Sequence, residues 1–159
     1  MSAPAEQLES VRIVREIEAP ARKVYDAWID PEMLLRWIGP EGYVATQVEV
    51  DPSVGGHADI RGERADGTVG IFTWRFVEMV PGERLVLDFA FADREEEPDA
   101  HRSLVTLRIR ELSPHRSELI LDHERLKPGT PQDGAGVTRG WGQVLGRLIT
   151  YVESETEGA

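Results

Sequence analysis

The stretch Val137-Thr-Arg-Gly-Trp-Gly-Gln-Val-Leu-Gly-Arg-Leu-Ile-Thr-Tyr-Val152 decides how the rest of this sequence is read. On a wheel of about 100° per residue, Val137, Trp141, Val144, Leu145, Leu148, Ile149 and Val152 share one arc. Arg139, Gln143, Arg147, Thr150 and Glu153 fall on the other side. A stripe of this kind marks a helix that buries one face. Nearly everything upstream has the two-residue period of strands, and a sheet with one apolar face needs a layer to cover it. The spacing therefore predicts that this helix is the cover.

Working back from the helix, Lys127 to Gly136 is rich in glycine and proline and reads as a connecting loop. Before it, Val105, Leu107 and Ile109 alternate, and a turn near Ser113-Pro114 leads to Leu119 and Leu121, with His123 next on the same face. Asp93 to Asp99 has no periodicity and reads as a solvated acidic loop. Two longer strands, Thr68 to Met79 and Arg84 to Phe91, flank Pro81-Gly82. If those two are the central turn residues, Val80 pairs with Glu83, and Phe72, Trp74 and Phe76 face Phe91, Phe89 and Leu87. Ala65-Asp66-Gly67 gives the preceding hairpin turn, joined to a short strand with Ala58 and Ile60. Val44, Thr46, Val48 and Val50 form the inward set of one more strand, closed by Asp51-Pro52.

The front of the chain is different. Residues 1–9 read as a flexible tail, and 10–155 as a single domain. Val11, Ile13 and Ile17 suggest a first strand, and Pro20 opens a helix with an inward stripe of Val24, Ala27 and Trp28. Asp30 is placed to cap a second helix with Pro31 at its first position, Leu34, Leu35 and Trp37 inward, and Gly39-Pro40 as the stop. The order is strand, helix, helix, six strands, helix: an α+β domain in which an antiparallel meander wraps the last helix.

Composition narrows the function. At 159 residues, 40% apolar and 30% charged, the chain has the size and make-up of one soluble domain. It has no cysteine for a disulfide, thiol catalysis or a zinc site. A net charge of −11 argues against nucleic acid. With no apolar run of the roughly 18 residues a membrane span needs and no export pattern, the expected location is the cytoplasm. No histidine pair has metal-ligand spacing, so no metal is expected. No Gly-x-Ser-x-Gly turn or glycine-rich phosphate loop occurs.

Several of these residues together resemble a known family. Ala19-Pro20, Val24, Trp28 and Asp30-Pro31-Glu32, then Leu34-x-x-Trp37-x-Gly39-Pro40, resemble the opening motif of the activator-of-heat-shock-ATPase homologue (AHSA-type) family. Asp51, Gly55-Gly56, Asp66-Gly67, Pro81-x-x-Arg84-Leu85, His123 and Gly140-Trp141 before Leu145-x-x-Leu148 extend the likeness from about Val11 to Val152. That family belongs to the START-like, or SRPBCC (polyketide-cyclase, pollen-allergen-like), superfamily. The resemblance implies a helix-grip fold, β-α-α-β6-α, with a hydrophobic cavity between curved sheet and C-terminal helix. Its motifs mark fold positions, so no catalytic residue is implied and no cofactor is assigned.

The candidate site follows from face and from this resemblance. Trp37, Trp74, Phe89, Leu107, Leu121, Trp141, Leu145 and Leu148 are taken as lining, with His123 as the polar contact, because ligand pockets are mostly apolar with few polar groups. His57 is expected to point outward, and His101 and His115 to lie at the surface. Tyr43 and Arg75 are the side chains that could gate a mouth, and neither is assigned that role. Gly140, Gly142 and Gly146 flank the apolar arc, each at a helix cost of up to about 1 kcal/mol. They either let the helix approach the sheet or leave room for a ligand. The leading expectation is binding of a small hydrophobic or aromatic molecule. A cyclase- or hydratase-like enzyme using His123 for proton transfer stays open, as do a homodimer and a co-chaperone-like module with a chaperone partner.

Overall fold

The computed structural model describes residues 8–92, 102–126 and 134–157. Its elements are β1 (Glu9–Ile17), α1 (Ala21–Asp26), α2 (Pro31–Trp37), β2 (Val44–Val50), β3 (His57–Glu63), β4 (Val69–Val80), β5 (Arg84–Ala92), β6 (Ser103–Ser113), β7 (Arg116–Leu126) and α3 (Gly134–Glu157). This is the expected order. The strands make one antiparallel sheet in the order β1-β7-β6-β5-β4-β3-β2. Sequential hairpins run from β2 to β7, and β1 closes against β7 at the opposite edge. That placement explains the two helices. The chain must travel the width of the sheet between β1 and β2, and α1 and α2 carry it there.

α2 starts where capping chemistry puts it. The Asp30 carboxylate accepts from the backbone N–H groups of Glu32 and Met33, and Pro31 needs no partner at the first position. Leu34 and Trp37 are buried, but Leu35 is exposed, which corrects its assignment to the inward side. It lies about 100° round the helix from Leu34, off the line that Leu34 and Trp37 share. α3 buries Val137, Trp141, Val144, Leu145, Leu148 and Val152 against the sheet's inner face. It starts three residues before the expected Val137, at Gly134, whose N–H donates to Glu9 Oε1 at 3.0 Å. Glu9 therefore sits in β1 rather than in a tail.

The β4–β5 hairpin carries the aromatic ladder as expected: Phe72 pairs with Phe91, Trp74 with Phe89 and Phe76 with Leu87. The turn itself is different. Val80 pairs with Arg84, so the loop has three residues with Gly82 at φ +76°, and a bulge between Phe76 and Glu78 absorbs the extra one. Two one-residue irregularities cancel, and the aromatic register survives. β2 shows the uncancelled case. A register shift between Ala45 and Gln47 puts Ala45 inward on one side of it and Val48 and Val50 inward on the other, leaving Val44 and Thr46 exposed. Single-face alternation from Val44 to Val50 is thus corrected.

On the outer face, Asp122 of β7 accepts from Arg12 Nε at 2.7 Å and Nη2 at 3.1 Å, and from Arg108 Nη1 at 2.9 Å. The hydrogen bond from Arg12, with the charges of both arginines, holds the Asp122 carboxyl below the usual carboxylate range. No helix of the described residues is long and apolar enough to cross a membrane. The acidic run 93–99, His101, residues 127–133 and residues 1–7 lie outside the described residues.

Candidate functional site

Between α2 and β2 the loop from Ile38 to Tyr43 gives a cavity one wall through Ile38 and Pro40. Gly39 takes φ +100°, open to glycine and costly for other residues. The Arg147 Nη1 atom donates to the carbonyls of Ile38, Gly39, Pro40 and Tyr43 at 3.0–3.2 Å. On the helix wheel Arg147 falls on the solvent side of α3. Its long stem instead lets the guanidinium reach the loop.

Tyr43 is buried and takes no part in gating. Its ring rests on Gly62 and Gly70, which face each other across β3 and β4, and its hydroxyl donates to the Gly70 carbonyl at 2.8 Å. A Cβ on Gly62 would run into that ring. Burial pushes the phenol up to about 12, with the nearby Arg64 charge pulling the other way.

The cavity behind this wall has a volume of about 380 Å³. It lies between the aromatic end of the sheet and the first half of α3. Phe72, Phe89 and Phe91 give the sheet side, Val137, Trp141 and Val144 the helix side, and Ile38 and Pro40 the loop side. At roughly 30 Å³ per water-sized group it has room for about a dozen of them. Gly140 also borders it, and a Cβ there would meet nothing within 4 Å. Gly142 and Gly146 likewise face open space. None of the three helps α3 approach the sheet.

One corner is polar. His123 is 3% exposed, and it is held from both ring nitrogens. Trp141 Nε1 donates to His123 Nδ1 at 2.9 Å, and His123 Nε2 lies 2.6 Å from the Ser103 hydroxyl. An indole nitrogen can only donate, so Nδ1 must be the acceptor and the ring proton sits on Nε2. Nε2–H therefore donates to Ser103 Oγ. For His123 to take a proton from Ser103, the ring would have to become the Nδ1–H tautomer, which sets N–H against N–H at Trp141. The corner is built as a hydrogen-bond donor, and a serine–histidine pair for nucleophilic attack is not formed.

Of the nine residues picked from the sequence, Phe89, His123 and Trp141 border the cavity. Trp37, Trp74, Leu107, Leu121, Leu145 and Leu148 do not; each is at most 1% exposed in the packed core. They face inward, as expected, but at the filled end. Trp74 stacks on Phe89 at 6.1 Å, and the Trp37 Nε1–H is used up on the Ala27 carbonyl at 2.9 Å. Sequence reasoning missed Ser103, Leu126, Arg64 and the Ile38–Pro40 wall. Ser103 was findable, since it begins the strand that continues through Val105 and Leu107. Arg64 follows the end of β3, where no periodicity points.

His57 and His115 are exposed, as expected. Among the described residues, Glu49, His57 and Asp59 bring three ligand-type atoms within 4.8 Å of one another, all on exposed side chains. Asp59 is already engaged there, by Thr73 at 2.7 Å and His57 at 3.3 Å.

Residues 18–153 match the family model described as activator of Hsp90 ATPase homologue 1-like protein. Among solved structures, a protein of Chromobacterium violaceum is 30% identical over 91% of this chain and 98% of that one, with a TM-score of 0.78. An Arthrobacter aurescens protein is 24% identical over 93% and 91%, with a TM-score of 0.80. An Hsp90 activator of Plasmodium falciparum is 23% identical over 89% and 94%, with a TM-score of 0.66. At that identity the last two show a shared fold. No curated protein matches the chain.

Proposed function

Since the chain belongs to the activator of Hsp90 ATPase homologue 1-like family, a family of helix-grip domains, we propose that it works by holding a small, mostly apolar molecule in the cavity between sheet and α3. The observation that carries this reading is the 380 Å³ of space walled by three phenylalanines, a tryptophan and aliphatic side chains at one end of a continuous apolar core. Binding sites commonly have such walls, with a few polar groups that orient the ligand. Ser103 and His123 supply that corner. The dimensions favour one- or two-ring molecules over steroids or long acyl chains.

The locked His123 tautomer weighs against the cyclase or hydratase alternative, because the imidazole has no nitrogen ready to accept a proton. A chaperone-docking role rests on the family description and on the name of the Plasmodium relative.

The test uses Gly140→Phe. Gly140 borders the cavity and a Cβ there meets nothing within 4 Å, which makes it the position at which to place a bulky plug. A panel of one- and two-ring aromatics is followed by tryptophan fluorescence and thermal shift. A binder at 100 times its dissociation constant should stabilise the wild type by about 2.7 kcal/mol. Gly140→Phe should fold, melt no lower than wild type, and give no shift. Equal binding by the plugged variant, or no binder in the panel, would end this reading.

A further inference from the structure

We propose that the cavity selects a hydrogen-bond acceptor: an uncharged aryl ketone or aldehyde whose ring lies among Phe72, Phe89 and Trp141 and whose carbonyl oxygen takes a bond from the Ser103 hydroxyl. This rests on the cavity being a ligand site. The observation is that the polar corner is a chain of donors running one way. The last hydrogen in that chain has only a distant acceptor among the described residues.

Trp141 starts the chain, with its indole N–H on His123 Nδ1 at 2.9 Å. That bond leaves the imidazole proton on Nε2, which donates to Ser103 Oγ at 2.6 Å. One lone pair of the hydroxyl is thereby engaged, and its own hydrogen still needs a partner. The Phe89 carbonyl lies 3.5 Å from Oγ, well beyond the roughly 2.7–2.8 Å usual for a hydroxyl donor. Ser103 is only 7% exposed, and it borders the cavity. The ligand space is therefore where that hydrogen finds an acceptor. Each link in such a chain polarises the next, which strengthens the terminal O–H as a donor.

The walls set how the acceptor must be carried. Phe89 lies 5.9 Å from Trp141 and 5.4 Å from His123, at right angles to the imidazole, and Phe72 lies 6.2 Å from Phe89. These rings end at the Ser103–His123 corner. A carbonyl conjugated to an aromatic ring stays in the ring plane, so a ring lying along these walls brings its oxygen to the hydroxyl. A ligand that only donates leaves the Ser103 hydrogen as poorly matched as before. The corner is uncharged in this tautomer, and one neutral hydroxyl does not replace the hydration that a carboxylate gives up on burial. A neutral carbonyl is the group that fits.

The experiment compares 2-acetylnaphthalene with 2-isopropenylnaphthalene, which has the same shape with a methylene in place of the carbonyl oxygen. Binding is followed by titration calorimetry on wild type and Ser103→Ala. The methylene compound is the more hydrophobic, so the ratio of the two affinities is compared between the two proteins. Ser103→Ala should lower the ketone-to-alkene ratio about tenfold, the effect of leaving a buried carbonyl unpaired, with alkene affinity kept within about threefold. The infrared carbonyl stretch of the ketone should lie below its hexane value when bound to wild type and return toward that value in Ser103→Ala. A merely structural role for Ser103 would not move that frequency. If Ser103→Ala binds neither compound, the wild-type stretch decides alone. A ratio unchanged in Ser103→Ala, or a wild-type stretch at its hexane value, overturns the acceptor while the cavity stands. Binding of neither compound to wild type overturns both.

Discussion

Replacing Arg147 with methionine keeps the aliphatic stem and removes the guanidinium that grips the wall of the cavity. Four carbonyls accept from Nη1, but that atom carries two hydrogens, so the four contacts count as about two full bonds. Hydrogen bonds to a charged group contribute about 1.5–3 kcal/mol each, and the partial exposure of Arg147 puts these at the low end. The expected loss is about 2–4 kcal/mol, with almost nothing from helix propensity, since arginine and methionine rank together. For a chain of this length each kcal/mol moves the melting temperature by about 2–4 °C, so the midpoint should fall by about 5–15 °C. Urea denaturation with an unchanged m-value gives the energy, and amide exchange should quicken at residues 38–43 before it does elsewhere. Arg147→Lys should recover part of the loss, as an ammonium can reach one or two of the carbonyls. A loss under about 0.5 kcal/mol with exchange unchanged at 38–43 would mean that water serves those oxygens equally well, and the clamp argument would fail.

Gly62→Ala drives a methyl into the Tyr43 ring and onto the Val44 carbonyl. It should cost about 3 kcal/mol in urea unfolding, at the upper end for overpacking. Adding Tyr43→Ala should relieve only part of this, because the backbone contact remains; full relief would show that the ring alone sets the constraint. Gly142→Ala meets open space in mid-helix and should stabilise by up to about 1 kcal/mol, and a fall in melting temperature would refute that packing. Asp122→Asn tests the outer-face cluster through pH. Because the folded-state value of Asp122 is depressed, its contribution is present above the unfolded value near 3.9 and disappears as pH falls through the folded one. Wild type should therefore exceed the variant in stability at pH 6, with the gap closing below about pH 4. A gap that persists at pH 2 would assign the effect to packing.

Much of this architecture was legible because burial leaves periodic traces. The α3 stripe, the Asp30-Pro31 cap and the alternation of Val105, Leu107 and Ile109 each follow from one local rule. The Phe72, Trp74 and Phe76 pairings hold although the turn has three residues rather than two, since a bulge beyond Phe76 restores the sum. The same kind of irregularity in β2 has nothing to cancel it, and there the inward set was misassigned. Periodicity reports which face a residue is on and says nothing of its depth along the element. Hence Trp74, Leu121 and Leu148 were correctly turned inward yet lie outside the cavity wall. The Gly62–Gly70 seat for Tyr43 and the reach of Arg147 to the loop depend on contacts between segments far apart in sequence, and neither leaves a local pattern.

The indole of Trp141 has a consequence for how this scaffold can change over time. Its N–H is what fixes the proton on the far side of the His123 ring. Phenylalanine at 141 would keep an aromatic wall while freeing Nδ1 to carry the proton, and Nε2 would then be able to take one from the Ser103 hydroxyl 2.6 Å away. A single nucleotide triplet thus separates a histidine held as a donor from a hydroxyl-activating pair. Among chains sharing this serine and histidine, the letter at this one helix position tells which of them can activate the hydroxyl before any further coordinates are in hand.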